Sequence, residues 1–412
     1  MQTIDDDLSK NIGCWHSIAH SAGLKLGGHA RSQAIAEELR ALQRGLTGER
    51  ARVATDYMEE RGALRAYLLY YWTISLFETA AVLEELRARR QLPEIRSVLD
   101  VGSGPGPAAC AASLFGAERA LLVDKSEMAL DAARDIASAG KLAGLRLEVR
   151  TERRDLEDFS LLRSTPQGAR FDLIVASHAL NELWHEDPHR IELRRDFIRT
   201  LLPTLRDGGL LLIIEPSAHY TSIPLLKLRD SLLDADLACI GPCPHSHACP
   251  MLAREGRPCF SEWEWRAPAS IVDLAEGAGL DRTSLKASWV AFIKGAESDA
   301  GAHFASTRDA GSGPADLAGN GATISSGTLS GRVVSEPMLN KAGRVRYIVC
   351  EKGGFLATIS APQGDERAVL AGFLELRRGD LIEVDGFETR GEGHYGFGHS
   401  AVLRVSMRAP RL

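Results

Sequence analysis

No stretch of this 412-residue chain reaches the roughly 18 consecutive apolar residues that a helical membrane span needs. The opening residues, Met1-Gln-Thr-Ile-Asp-Asp-Asp-Leu, lack the basic start and apolar core of a secretory signal. They are also too acidic for a mitochondrial transit peptide, so neither export nor a membrane partner is expected. Positive charge is not in excess: the formal net charge is -6. A general grip on nucleic acid or anionic lipid is therefore not the dominant property, although a local basic face is still allowed. Aromatic residues are few at 6%, against 44% hydrophobic and 25% charged, which describes a soluble globular chain and excludes a fibrous or wholly disordered one.

The length exceeds one ordinary domain, and the texture changes along it. Residues 1–92 read as helical. Apolar positions recur at three- and four-residue steps through Ala34–Arg40 and again from Tyr67 to Leu86, with Pro93 as the stop. Residues 93–295 alternate short apolar runs with amphipathic helices. Candidate strands are Ser97–Val101, Ala120–Val123, Arg146–Arg150, Phe171–Ser177, Gly209–Glu215 and Ala287–Ile293, with helices such as Glu127–Ala139 and Ile191–Leu205 between them. Fully apolar strands such as Leu210–Ile214 imply a mostly parallel sheet covered on both faces, a doubly wound α/β domain. Residues 296–331 are rich in Gly, Ser, Ala and Asp and read as a flexible linker. Residues 332–412 carry β-like runs at Val345–Cys350, Phe355–Ile359, Leu381–Val384 and Ala401–Val405, separated by turn residues. They suggest a small β-barrel or an added sheet.

The sharpest local signal is Val98-Leu-Asp100-Val-Gly102-Ser-Gly104-Pro-Gly106. A buried strand runs into three glycines and then a helix, a place where the backbone turns tightly and lets a ligand approach. Asp124 follows Gly104 by 20 positions, at the end of the next strand, where a carboxylate can accept bonds from ribose hydroxyls. The alternative is an ordinary strand–helix turn. The Gly-x-Gly-x-Gly spacing after an acid resembles motif I of class I S-adenosylmethionine-dependent methyltransferases more than a dinucleotide site. That likeness nominates Asp100, Gly102, Gly104, Gly106, Asp124, Asp155 and Ser177 for the cofactor. It also puts His178, Asn181 and Glu182 on the side of a methyl acceptor. The plain alternative for Asn181 and Glu182 is that they open a short helix.

Seven cysteines are an odd number, and four fall close together: Cys239, Cys243, Cys249 and Cys259. Without an export signal a metal site is the better reading than a disulfide framework, in a reducing cytoplasm. Thiols spaced as in Cys243-Pro-His245-Ser-His247-Ala-Cys249-Pro, then Cys259-Phe260, can share zinc with a histidine or carry an iron–sulfur cluster. Spacing alone leaves both open.

The order of motifs narrows the choice. The glycine loop, Val123-Asp124-Lys-Ser126, Ser177-His178-Ala-Leu-Asn181-Glu182-Leu183, Glu215-Pro216 and Cys-Pro-His-x-x-x-Cys-Pro together resemble one family. It is the methyltransferase-like family of mitochondrial small-ribosomal-subunit assembly factors and their bacterial relatives. The resemblance covers roughly residues 50–380. It implies a class I methyltransferase (Rossmann-like) fold, S-adenosylmethionine, a [4Fe–4S] cluster held by Cys243, Cys249, Cys259 and Cys350, and the small ribosomal subunit or its rRNA as partner. Cys239 has no counterpart and is read as a core residue. Cys259-Phe260, where the family has Cys-His-Phe, and the β-rich tail are departures. The alternative function is a methyltransferase acting on a small molecule or a protein, with the metal site structural.

Overall fold

The computed structural model describes residues 6–27, 32–48, 56–158, 170–233, 236–253, 257–280, 283–295, 327–391, 393–397, 400–408 and 410. Residues 296–326, most of the stretch read as a linker, fall outside that set. The chain forms two compact units. The first takes the chain up to Pro216 together with Trp263–Trp289. The second takes Ser217–Glu262 and Val290–Ala409.

Unit 1 begins with helices α1 (Asp6–Gly27) and α2 (Ser32–Gln43). A continuous helical run then passes through α3 (Arg61–Ala66), a π-helical turn at Tyr67–Tyr71, and α4 (Trp72–Ala88). Every residue from Trp72 to Leu86 is buried, so α4 is a core helix. Arg61–Ala88 is also long and apolar enough to cross a membrane by length and composition, but its apolar surface is covered within the protein.

The sheet of unit 1 contains β1 (Ser97–Val101), β2 (Arg119–Asp124), β3 (Glu148–Arg153), β4 (Phe171–Ser177), β5 (Leu205–Pro216) and β8 (Ser284–Lys294). Their order is β3-β2-β1-β4-β5-β8. The pairs β1–β2, β1–β4, β2–β3 and β4–β5 are all parallel. Parallel strands need crossovers, which α5 (Pro107–Ser113), α6 (Glu127–Leu142) and α7 (Arg190–Leu201) supply. Strand order reverses between β1 and β4, the place where doubly wound sheets open a crevice at the strands' carboxyl ends. One sequence expectation needs correcting. The helix from Ile191 stops at Leu201, because Pro203 cannot continue it, and Leu205 already starts β5.

Unit 2 opens with α8 (His219–Ser231) and β6 (Leu237–Gly241), which pairs antiparallel with Ala291–Lys294. Its larger sheet contains β9 (Thr328–Val333), β11 (Arg344–Glu351), β12 (Leu356–Pro362), β13 (Leu381–Asp385), β14 (Glu388–Gly391), β15 (His394–Gly396) and β16 (Val402–Met407). The order is β14-β15-β12-β11-β9-β13-β16, mostly antiparallel. β9 starts inside the stretch that composition assigned to a linker, since Thr328-Leu-Ser-Gly-Arg-Val alternates well enough to pair.

Alternation decides which side chains of β11 face which core. Tyr347 and Val349 enter the main apolar cluster with Phe373, Ile382 and Tyr395. Ile348 and Cys350, one residue out of phase, enter a smaller cluster with Leu226, Cys249 and Met251.

Candidate functional site: a glycine cradle and a thiol cluster

In unit 1 the candidate cofactor residues gather at the carboxyl ends of adjacent strands. Gly102, Gly104 and Gly106 all have positive φ (68°, 49° and 77°). A side chain at Gly102 would meet Ala179 Cβ at 2.4 Å, so this position is closed by packing. At Gly104 the nearest atom is the end of Met58 at 3.4 Å, so a flexible thioether rather than backbone lies over the loop. Gly106 caps α5, with Pro107 at the first helical position.

Asp124 ties the loop to β2. Its Oδ2 accepts from the Gly104 N–H at 2.7 Å and its Oδ1 from the Ser126 N–H at 2.9 Å. Burial raises its pKa, and those two amides work against the rise. Asp100 lies beneath the loop, 1% exposed. Its Oδ2 accepts from the Ala109 N–H at 3.2 Å, and its Oδ1 is buried with no hydrogen-bond partner. Burial lifts this carboxyl to about 7, with Asp124 adding to the rise and the Ala109 amide opposing it. Ser177 Oγ, at the end of β4, is likewise buried and without a hydrogen-bond partner. Asp155 is exposed just beyond β3, and its Oδ1 accepts from the Glu157 N–H at 3.0 Å in a local turn.

The residues after β4 serve different ends. His178 has φ of 58°, uncommon for a side chain of its size. Its backbone N–H donates to Ile214 O at 2.7 Å, and its Nε2 lies 2.8 Å from Glu78 Oε2 on α4. Asn181 is clamped to Glu215: its N–H donates to Oε1 at 3.0 Å and its Nδ2 to Oε2 at 2.7 Å. Glu215 is 2% exposed and its pKa is raised by burial. Asn181 thus holds the β4 and β5 ends together, and it lies in a turn rather than opening a helix, the next helix starting at Arg190. Glu182 is half-buried, and its charge acts on Tyr57 and Tyr67. Glu215 stands in the sequence as part of a motif, without its partner; Glu78, Tyr57 and Met58 are not singled out there. The available signal for Glu78 was a carboxylate in an otherwise apolar helical run.

In unit 2 the thiols of Cys243, Cys249, Cys259 and Cys350 act electrostatically on one another. Cys249, Cys259 and Cys350 share one apolar cluster, and all four cysteines are free thiols. The loop carrying Cys243 and Cys249 is held from α8. Arg229, fully buried, donates to His245 O at 2.8 Å and to His247 O at 2.6 Å. Asp230 Oδ2 accepts from the Cys249 N–H at 2.9 Å. Cys259 is fixed through its backbone, which exchanges hydrogen bonds with Ser222 Oγ at 3.0 and 3.1 Å.

Burial pushes the thiols of Cys249, Cys259 and Cys350 up. Cys243 goes the other way, drawn down first by a hydrogen bond from Cys239 and then by the charges of Arg229 and Arg332. Cys239 is 2% exposed, as a core residue should be, yet it touches Cys243. Burial, then the Arg229 charge, lowers His245 to about 3, so its imidazole is neutral. Its Nδ1 accepts from the His247 N–H at 3.2 Å, which leaves the proton on Nε2, 3.3 Å from Cys350 Sγ. Among the described residues no three His, Cys, Asp or Glu side chains are grouped to close on a single metal ion.

The strand order, the glycine loop and the acid closing β2 define the class I methyltransferase (Rossmann-like) fold, joined here to a second, β-rich sheet. Residues 62–358 match the family described as mitochondrial small ribosomal subunit Rsm22. That is more than half of the chain, and the chain belongs to this family. No curated protein matches. Among solved structures, a ribosomal protein L11 methylase from Lactobacillus delbrueckii subsp. bulgaricus is 19% identical over 52% of this chain and 77% of its own, with TM-score 0.30. A putative RNA methyltransferase from Pyrococcus horikoshii is 15% identical over 53% of this chain and 84% of its own, with TM-score 0.32. The magnesium protoporphyrin IX methyltransferase of Synechocystis, with bound S-adenosylmethionine, is 11% identical over 65% of this chain and 99% of its own, with TM-score 0.33.

Proposed function

We propose that this protein binds S-adenosylmethionine in unit 1, carries a [4Fe–4S] cluster in unit 2, and acts on the small ribosomal subunit or its rRNA during assembly. The observation that carries the reading is the family match over residues 62–358, within which both candidate sites lie. Support for the cofactor comes from two orphaned oxygens at the cradle, Asp100 Oδ1 and Ser177 Oγ. Buried polar atoms normally have partners, and a polar ligand at the strand ends would supply them. When bound, S-adenosylmethionine supplies a methyl group on a sulfonium. Asp124 would hold its ribose, the Gly102–Gly106 loop would let its chain approach the backbone, and Asp155 would stand near the adenine. On the acceptor side, the Glu78 carboxylate orients the His178 ring.

For the metal centre the donor set is all thiol. Cys249, Cys259 and Cys350 share one apolar cluster and Cys243 acts electrostatically on each of them, which suits an iron–sulfur cluster, with zinc as the alternative. Thiolates on a four-iron cube bind separate irons. Cys243, Cys249, Cys259 and Cys350 would each bind one iron.

The alternative, a methyltransferase acting on a small molecule or a protein, is favoured by the His178–Glu78 pair, which a pure scaffold does not need. A single purification separates the readings. The protein is isolated without oxygen, assayed for iron and sulfide, and tested for sedimentation with small-subunit precursors at moderate salt and for transfer of labelled methyl to them and to candidate small-molecule and protein acceptors. Iron with co-sedimentation supports the first reading. Methyl transfer to another acceptor without co-sedimentation supports the second.

A further inference from the structure

Two arginines in unit 2 are almost completely buried. Arg229 is 0% exposed and Arg332 is 1% exposed, and each has a buried Nε with no hydrogen-bond partner. Taking a guanidinium out of water is costly unless an anion stands beside it. Arg229 has Asp230, with Nη1 at 2.5 Å from Oδ1. Arg332 makes no ion pair with a carboxylate among the described residues. Its polar contacts are Ser261 Oγ at 2.6 Å and Cys259 Sγ at 3.9 Å. It also stands directly opposite Cys350 in the β9–β11 ladder, so the two residues share a sheet face. The contacting group nearest to it that can carry a negative charge is the Cys259 sulfur. A second N–H points at the same group of thiols: His245 Nε2, 3.3 Å from Cys350 Sγ.

We propose that Arg332 and His245 are the built-in N–H donors to this thiolate centre, Arg332 to Cys259 and His245 to Cys350, and that they set its reduction potential. The proposal rests on the cluster reading above. One-electron reduction takes the cluster from its 2+ to its 1+ core state, with the electron supplied by the mediator dye of the titration, and no bond forms or breaks. The added negative charge is stabilised by a cation and by N–H dipoles aimed at the sulfurs, so both groups raise the potential. They are positioning groups around the centre, neither of them a ligand to iron.

The test uses the full chain, purified without oxygen and reconstituted with ferrous iron and sulfide, in a potentiometric titration followed by electron paramagnetic resonance. Iron and sulfide analysis of the unaltered protein comes first, and a chain that binds no iron overturns the cluster reading itself. With iron bound, Arg332→Met removes the charge and keeps an apolar side chain of similar length. At the unaltered protein's midpoint its reduced-to-oxidised ratio is expected to fall at least tenfold, equal to about 59 mV for one electron. Arg332→Lys should recover most of that shift, which a merely structural role would not produce. His245→Phe should move the midpoint the same way by less. Should Arg332→Met fail to fold, the other two variants decide: a lowered midpoint in His245→Phe with a near-normal one in Arg332→Lys supports the proposal. Full clusters with unshifted midpoints in Arg332→Met and His245→Phe, or an unshifted His245→Phe alone where the methionine variant is lost, overturn it.

Discussion

Asp124 carries two tasks that pull in different directions. It accepts amide hydrogen bonds that hold the glycine loop, and it sits where a ribose-anchoring carboxylate would act. Losing charge-assisted hydrogen bonds costs roughly 1.5–3 kcal/mol, so Asp124→Ala should weaken S-adenosylmethionine about tenfold to a hundredfold in calorimetry. Unchanged affinity would remove Asp124 from the site. Gly104→Val should be worse, because φ of 49° strains any branched residue and the new side chain presses on Met58. Asp100 gives a pH signature. Its folded pKa, about 7, is raised above the unfolded value near 4, so the folded state holds this proton more tightly. Stability from this group is therefore full below about pH 4 and is lost as pH climbs towards 7. Asp100→Asn should flatten that decline in thermal melts of the ligand-free protein, and an identical pH slope in both proteins would contradict the assignment.

At the scale of elements, α8, β9 and β11 meet the cysteine loop inside unit 2. The end of α8 supplies Arg229 and Asp230 to the loop backbone, β9 supplies Arg332, and β11 supplies Cys350. Cys350→Ser should lose or destabilise the proposed cluster, because the fourth thiolate of that set would come from the strand rather than from the loop. Cys239→Ser is the control and should retain full iron, since Cys239 touches Cys243 from β6 without joining the proposed set. Iron analysis on the two anaerobically prepared variants checks this. A full cluster in Cys350→Ser would mean that the strand contributes packing alone. Element boundaries were readable wherever periodicity was strong: β1 and β4 begin and end where the apolar runs do. They were not readable where pairing creates the strand. β6, β14 and β15 are short or polar, and their existence depends on neighbours that no local pattern reveals.

Across the whole molecule, two ligands should mark two different parts of the chain. In hydrogen exchange, S-adenosylmethionine is expected to protect the amides of Gly102–Gly106 and Ser126, while iron loading protects Cys243–Cys249 and the neighbourhood of Cys350. Protection of the cysteine loop by S-adenosylmethionine alone would break this division. In the proposed cluster, ligation from Cys259 to Cys350 would close a loop of about 90 residues, and cluster-binding energy would then become folding energy for unit 2. The sequence by itself determined the parallel sheet, the glycine loop with its acid 20 residues on, and the close spacing of the cysteines. Those are local or periodic features: a strand's apolar run, a turn's need for glycine, a spacing of cysteines. Only the tertiary structure decided that Asn181 belongs to Glu215, that Glu78 reaches His178 across 100 positions, and that Arg332 lies against Cys259. Such pairs are chosen by which buried charge must find a partner after the strands have been ordered, and that requirement leaves no periodic mark in the chain.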